Sequence, residues 1–317
     1  MLLLLCLPFG CKQQEETAVA PQHIHNIYTF MKGYALMDST TRQQAYLADS
    51  TTINAFMRTV SEMPVNDGLL EAWSGSNVVG VFTPAVDSVY RNLENVELQL
   101  GSILEASKAE GLELPQREYA AVVYGRTESI LFVDSTMLIA MNHYLGEDYP
   151  GYSHWPAFMR QTKTPEMLPY DIAEALIATQ YPYTQSESST LLSRMIYEGA
   201  LAHAKAAVVP DSNLKLVLGY DDETLDWLKD NEAEIWHSLI ANHLLYDTSE
   251  SVASRMIEPA PQVSLVAPVA PGRVGRYIGY RIVADYLKKH ADTPLPSMLS
   301  PVFYGDSKVL IESGYGR

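Results

Sequence analysis

Strand-forming sequence in this chain is confined to one short stretch, and the segments around it repeat at helical spacing. Tyr119-Ala-Ala-Val-Val-Tyr124 precedes Gly125, Ser129-Ile-Leu-Phe-Val133 follows, and Met137-Leu-Ile-Ala-Met141 comes after Asp134-Ser135. Short apolar runs separated by turn residues predict a small antiparallel sheet. On either side the period changes. From Thr83 to Lys108 the apolar residues Val86, Val89, Tyr90, Leu93, Leu100, Ile103 and Leu104 recur three or four apart, with Gly111 beyond the end, which predicts a helix. Further helices are expected over Tyr170–Ala178, Ser189–Ala206, Asp222–Leu245 and Gly272–His290. Asp222 stands where an N-cap would sit, and Lys288, Lys289 and His290 bring positive charge to the negative end of the last helix dipole. The expected fold class is α+β, mainly helical, with a small antiparallel sheet packed on a helical lobe.

Cys6 and Cys11 are the only cysteines. The chain beyond them holds neither disulfide nor thiolate, and 47% apolar residues are enough for a substantial core. Both cysteines fall in a leader. The apolar run Met1–Leu7 is too short to span a bilayer as a helix. With Pro8-Phe9-Gly10-Cys11 behind it, the run resembles a truncated signal peptide ending at a lipoprotein cysteine. The missing basic start and the Leu7-Pro8 order depart from the usual pattern, and an ordinary signal peptide with an incidental cysteine is the competing reading. The expected organisation is a signal peptide over residues 1–11 ending at lipidated Cys11, a polar tether over 12–22, and one domain over 23–317. Two acyl chains at Cys11 would hold that domain on a membrane of the cell envelope. A formal charge of -16 and a pI near 4.8 argue against a nucleic-acid partner.

Chemistry is best sought in Asp171–Ala202. Zinc peptidases commonly carry His-Glu-x-x-His on one helix and a third ligand, glutamate, in a Glu-Gly-x-Ala setting on the next. Glu198-Gly199-Ala200-Leu201-Ala202 reproduces much of the second piece, and Thr179-Gln180-Tyr181-Pro182-Tyr183 stands where the first would be. In that register Thr179 and Tyr183 replace the histidines and Gln180 replaces the base. Glutamine cannot take a proton from water, and threonine and tyrosine bind zinc poorly. A degenerate cleft with no metal, no cofactor and no catalytic residue is the expectation. In the plainer alternative Glu198 pairs with a nearby base and Gly199 merely lets helices approach. Histidines do not rebuild a site: His203 lies five residues past Glu198, roughly 140° around a helix from it. Nucleophile elbows and phosphate loops are absent from the sequence. The 20 tyrosines and 4 tryptophans raise carbohydrate handling as a third reading, but most fall at apolar helical positions and read as core.

Several segments together resemble the gliding-motility lipoprotein GldB family of the Bacteroidota. They are His143–Tyr149 with Tyr152, Leu191–Gly199, Asn231–Trp236, Pro259–Pro261, Pro271–Tyr286 and Glu312–Tyr315, in family order from about residue 65 to the end. The family is similar in outline to predicted zinc-dependent proteases. The resemblance implies a zincin-like arrangement in which Tyr277 and Arg281 join Thr179, Gln180, Tyr183 and Glu198 beside the cleft. It also implies an envelope lipoprotein of the motility or secretion-associated type, with envelope protein partners. A metal-dependent hydrolase with an unconventional site is the alternative. Independently of the family, Gly272, Gly275 and Gly279 strip one helix face of side chains, for tight internal packing or a docking chain. His143–Asp148 reads as a turn whose carboxylates bind backbone amides.

Overall fold

The computed structural model describes residues 19–316; Cys6, Cys11 and most of the expected tether lie outside them. The first half comprises β1 (His25–Asn26), α1 (Ile27–Tyr34), α2 (Ser39–Ala48), α3 (Ser50–Val60), α4 (Asp67–Ser74), α5 (Asn77–Tyr90) and α6 (Glu94–Ala109). Three strands follow, β2 (Glu118–Val122), β3 (Ile130–Val133) and β4 (Thr136–Ala140). Beyond them come α7 (Ala157–Arg160), α8 (Leu168–Gln180), α9 (Leu191–Val208), α10 (Leu214–Leu218), α11 (Asp222–Asp230), α12 (Glu232–Ala241) and α13 (Glu250–Ile257). The chain closes with α14 (Val274–Leu287), α15 (Leu295–Met298), α16 (Pro301–Tyr304) and α17 (Lys308–Ser313). Helix dominates, as the periodicity predicted.

The sheet corrects the expectation in its topology. Its order is β1-β2-β4-β3, and it is mixed, not antiparallel. Only β3 and β4 run antiparallel, with Leu131 opposite Leu138, joined through Asp134 at a positive φ of 52°. The segment after β2 carries the chain to the far edge, β3 returns, and β4 fills the gap parallel to β2, Ala120 beside Leu138. Strand β1, two residues long and parallel to β2, offered no periodicity to read. Apart from Glu118, every residue of β2 and β4 is buried. Unbroken apolar runs of this kind mark strands covered on both faces.

Two expected helices are each interrupted. The Thr83–Lys108 segment breaks between α5 and α6, where Arg91 adopts a positive φ of 52°. The Asp222–Leu245 segment divides at Asn231, whose side chain donates to Trp227 O at 2.7 Å. Its N-cap is Asp221 instead of Asp222, accepting from Thr224 N at 2.7 Å. Part of the expected tether belongs to the folded body: Gln22 N donates to Glu97 O at 2.9 Å, and Ala20 packs over Gly101 of α6.

Helix α9 is the axis of the molecule. Fourteen of its 18 residues are buried, so it is wrapped on nearly all sides, as a helix apolar around its circumference must be. Thr190 and Ser193 form its capping box. Helix α14 crosses it with almost no side chain between them: a Cβ on Gly199 would strike Gly279 O, and one on Gly279 would strike Met195 O. Gly275 lies against Met256 and Ile257, and Gly272 against Ala260. The glycine face is therefore spent on packing within the molecule.

The turn after β4 forms, with Tyr149 N donating to Gly146 O at 3.0 Å. Glu147 and Asp148 are exposed, and their carboxylates make no bond to backbone amides among the described residues. His143 at its start is buried, with Nδ1 3.2 Å from Ser129 Oγ. Burial, reinforced by Lys163, pushes this imidazole down to about 3. An unfolded histidine titrates near 6.5, so between the two values the unfolded chain binds a proton that the folded chain does not, and stability falls as pH falls. Urea unfolding should lose up to about 2 kcal/mol from this group between pH 6.5 and 5. His143→Gln should flatten that slope; an unchanged slope would refute the assignment.

Candidate functional site

The buried helices α8, α9 and α14 carry charge where they meet, and that charge must be neutralised within the protein. Glu198 on α9 is 3% exposed. Its Oε1 lies 3.1 Å from Arg194 Nε, one turn earlier, and its Oε2 lies 3.1 Å from Arg276 Nε on α14. The second contact is an ion pair without a well-aimed N–H, since Arg276 Nε has no hydrogen-bond partner among the described residues. Arg276 NH1 donates to Glu174 Oε1 on α8 at 2.9 Å, and Lys205 Nζ donates to Glu174 Oε2 at 2.5 Å. One guanidinium thus joins carboxylates from two different helices.

Burial alone would raise the Glu174 carboxyl, but Arg276 and Lys205 outweigh it and hold the group well below the usual carboxylate range. Burial likewise works against charge on Arg276, and Glu174 and Glu198 together drive it further up. One turn before Glu174, Asp171 accepts from Tyr144 OH at 2.9 Å. Burial, then the nearby Glu174, pushes the Asp171 carboxyl up. Each carboxylate of the cluster is engaged by a cation or a phenol.

The six residues singled out by sequence fall into separate contact groups. Thr179 and Gln180 are exposed at the C-terminal end of α8. Tyr183 exchanges a 2.7 Å hydrogen bond with Ser193 and packs on Tyr197 and Tyr304. Arg194 stacks 4.7 Å above the Tyr183 ring and so links Tyr183 to Glu198. Tyr277 and Arg281 turn to Glu232 at the start of α12, at 2.6 and 2.9 Å. His203 stacks on Tyr280 at 4.3 Å, with Nε2 3.2 Å from Tyr280 O. Sequence reading missed Asp171, Glu174, Lys205 and Arg276. The available signal was charge inside otherwise apolar helices, above all Glu174 in Asp171–Ala178.

A peptidase zinc ion would need the lone pairs that Glu174 and Glu198 already give to Arg276, Lys205 and Arg194. Among the described residues no group of three or more His, Cys, Asp or Glu is placed to hold a metal ion. This donor set does not fit zinc.

Beside Tyr183 lies an open groove of about 510 Å³. Its walls are the serine-rich segment that leads into α9, with Ser186, Ser189 and Ser193, and the α16 region, with Tyr304 and Asp306. Tyr304 OH accepts from Thr184 N at 2.9 Å and ties the two walls together.

Mixed sheet, buried central helix and ion-paired helix crossing define a mainly helical α+β protein whose acidic cluster is internally neutralised. Over residues 14–316 the chain matches the family described as gliding motility protein GldB, labelled as a lipoprotein family, and it belongs to that family. No curated protein and no solved structure matches it. The family label suggests a lipid-anchored envelope location. No helix among the described residues is long and apolar enough to cross a membrane.

Proposed function

We propose that this gliding-motility-associated protein is a non-catalytic envelope lipoprotein, held by lipid at Cys11, that binds an extended segment of a protein partner. In this reading a peptidase-like arrangement has lost its chemistry and kept its groove. The observation that carries it is Glu198, the residue in the Glu-Gly-x-Ala setting, clamped between Arg194 and Arg276. A carboxylate held by two guanidinium groups is unavailable as a ligand or a base. The groove beside Tyr183, which Arg194 links to Glu198, supplies hydroxyl groups and tyrosine faces, which suit the main-chain amides of an extended peptide and require no metal.

Two measurements on the full-length protein test the two halves of the proposal. Elemental analysis should find far less than one equivalent of zinc, whatever residue occupies position 198. Stoichiometric zinc that disappears in Glu198→Gln, accompanied by casein hydrolysis, would establish the hydrolase instead. A photo-crosslinking residue placed at Ser186 should trap a defined envelope protein in cells, whereas one at exposed Leu36 should not. Equal labelling from both positions would remove the groove from the proposal.

A further inference from the structure

Arg273 is a half-buried guanidinium that makes no ion pair among the described residues. It precedes α14 at a positive φ of 63°, and no side chain caps that helix. Its side chain is half-buried and lines a cavity of about 170 Å³. The Nε is sealed from solvent without a hydrogen-bond partner. No carboxylate lies within ion-pair distance among the described residues. Asp171 and Glu174 reach it only through longer-range attraction, and Arg276, one turn along, repels it. A half-buried cation without a counter-ion at a cavity wall is open to an anionic ligand, and arginine is the residue suited to bidentate carboxylate recognition.

The surroundings are built to hold this side chain. Gly219, at a φ of 73°, lies directly against Arg273 NH1, and any Cβ there would collide with it. Tyr220 OH donates to Gly272 O at 3.0 Å and fixes the backbone just before Arg273. Two proline-flanked segments that stood out in the sequence, Pro259–Pro261 and Pro271–Arg273, converge on this cavity, with Phe158 and Tyr220 adding aromatic walls. A single cation beside Phe158, Tyr220 and three prolines, with Gln161 and Thr224 adding hydrogen-bonding groups, suits a carboxylate and its neighbouring amide on an apolar stem. The volume lies below the roughly 300–1,000 Å³ of pockets that enclose whole small-molecule ligands, so the cavity has room for a terminal group.

We infer that this cavity captures the C-terminal carboxylate of a peptide chain whose last side chain is apolar, with Arg273 as the anchor. Chain-end capture by a fixed cationic or backbone cradle is an established mode of peptide recognition. The cavity shares no lining residue with the groove beside Tyr183, and the inference stands or falls separately from the proposal above.

The test uses the full-length protein and N-acetyl-leucine as the smallest mimic of such an end. Thermal unfolding and calorimetry should show binding of N-acetyl-leucine and of an acetylated tripeptide ending in leucine. The corresponding C-terminal amides should bind at least tenfold more weakly. Arg273→Gln should remove the preference for the free acid. Equal binding of acid and amide overturns the inference without recourse to any variant. Inorganic phosphate binding as well as the acid would make this a general anion site and overturn the carboxylate assignment. Isovalerate binding while the tripeptide does not would overturn the assignment to a chain end.

Discussion

Gly279→Ala should lower the stability of the folded protein by at least about 3 kcal/mol, at or above the upper end of what an overfilled core usually costs. The added methyl would meet Met195 O of α9, within ordinary bonding range of a backbone atom that cannot swing away. Relief requires moving α9 or α14 bodily, and α9 is enclosed by the rest of the core. For a chain of this size the loss corresponds to a fall in Tm of roughly 5 °C or more. Gly80→Ala is the matched control. It also lies inside a helix, but a Cβ there meets nothing within 4 Å. Replacing an exposed helix glycine by alanine should stabilise by about 0.5–1 kcal/mol. Opposite signs from the same chemical change would isolate the helix crossing as the cause. A Gly279→Ala protein melting within a degree or two of the parent would mean that α9 and α14 do not cross at this point.

The same crossing shows what could be read without coordinates. Gly272, Gly275 and Gly279 announced a bare helix face, and tight internal packing was one of its two possible uses. The wrapped character of α9 was visible in its apolar run. Strand positions were visible too, but their pairing was not, because β1 offers only two residues and β2–β4 pairing depends on where the intervening chain crosses. Sequence drew attention to Glu198 and allowed that a nearby base pairs with it, as Arg194 does, but the distant members of the cluster were missed for a related reason. Arg276 and Glu174 are 102 positions apart, and nothing local distinguishes Arg276 from Arg273 or Arg281 nearby. The peptidase register was set on Thr179–Tyr183, at the exposed end of α8. A window placed nine residues earlier, Tyr170–Glu174, contains the side chains that reach the cluster.

Arg276→Met should be the most damaging single change in the charged cluster, costing about 3–5 kcal/mol at pH 7. Methionine retains much of the stem volume, so the loss is chiefly electrostatic. Glu198 would keep only Arg194, which is partly exposed, and Glu174 would keep only Lys205. Adding Glu198→Leu should recover at least half of the loss, because an apolar side chain needs no counter-ion and Arg194 can turn toward water. The pH dependence carries the sign. In the parent the Glu174 carboxyl is held below its unfolded value near 4.3, so its stabilisation is present above that pH and is lost as pH falls through the lower folded value. In Arg276→Met, burial with less compensation raises the Glu174 carboxyl, so the folded state takes up a proton more readily than in the parent. The two stability curves should therefore converge on acidification, with the largest gap near neutrality. A gap that stays constant from pH 7 to 4.5 would assign Arg276 a packing role and leave Glu198 without the cation on which its quiet chemistry depends.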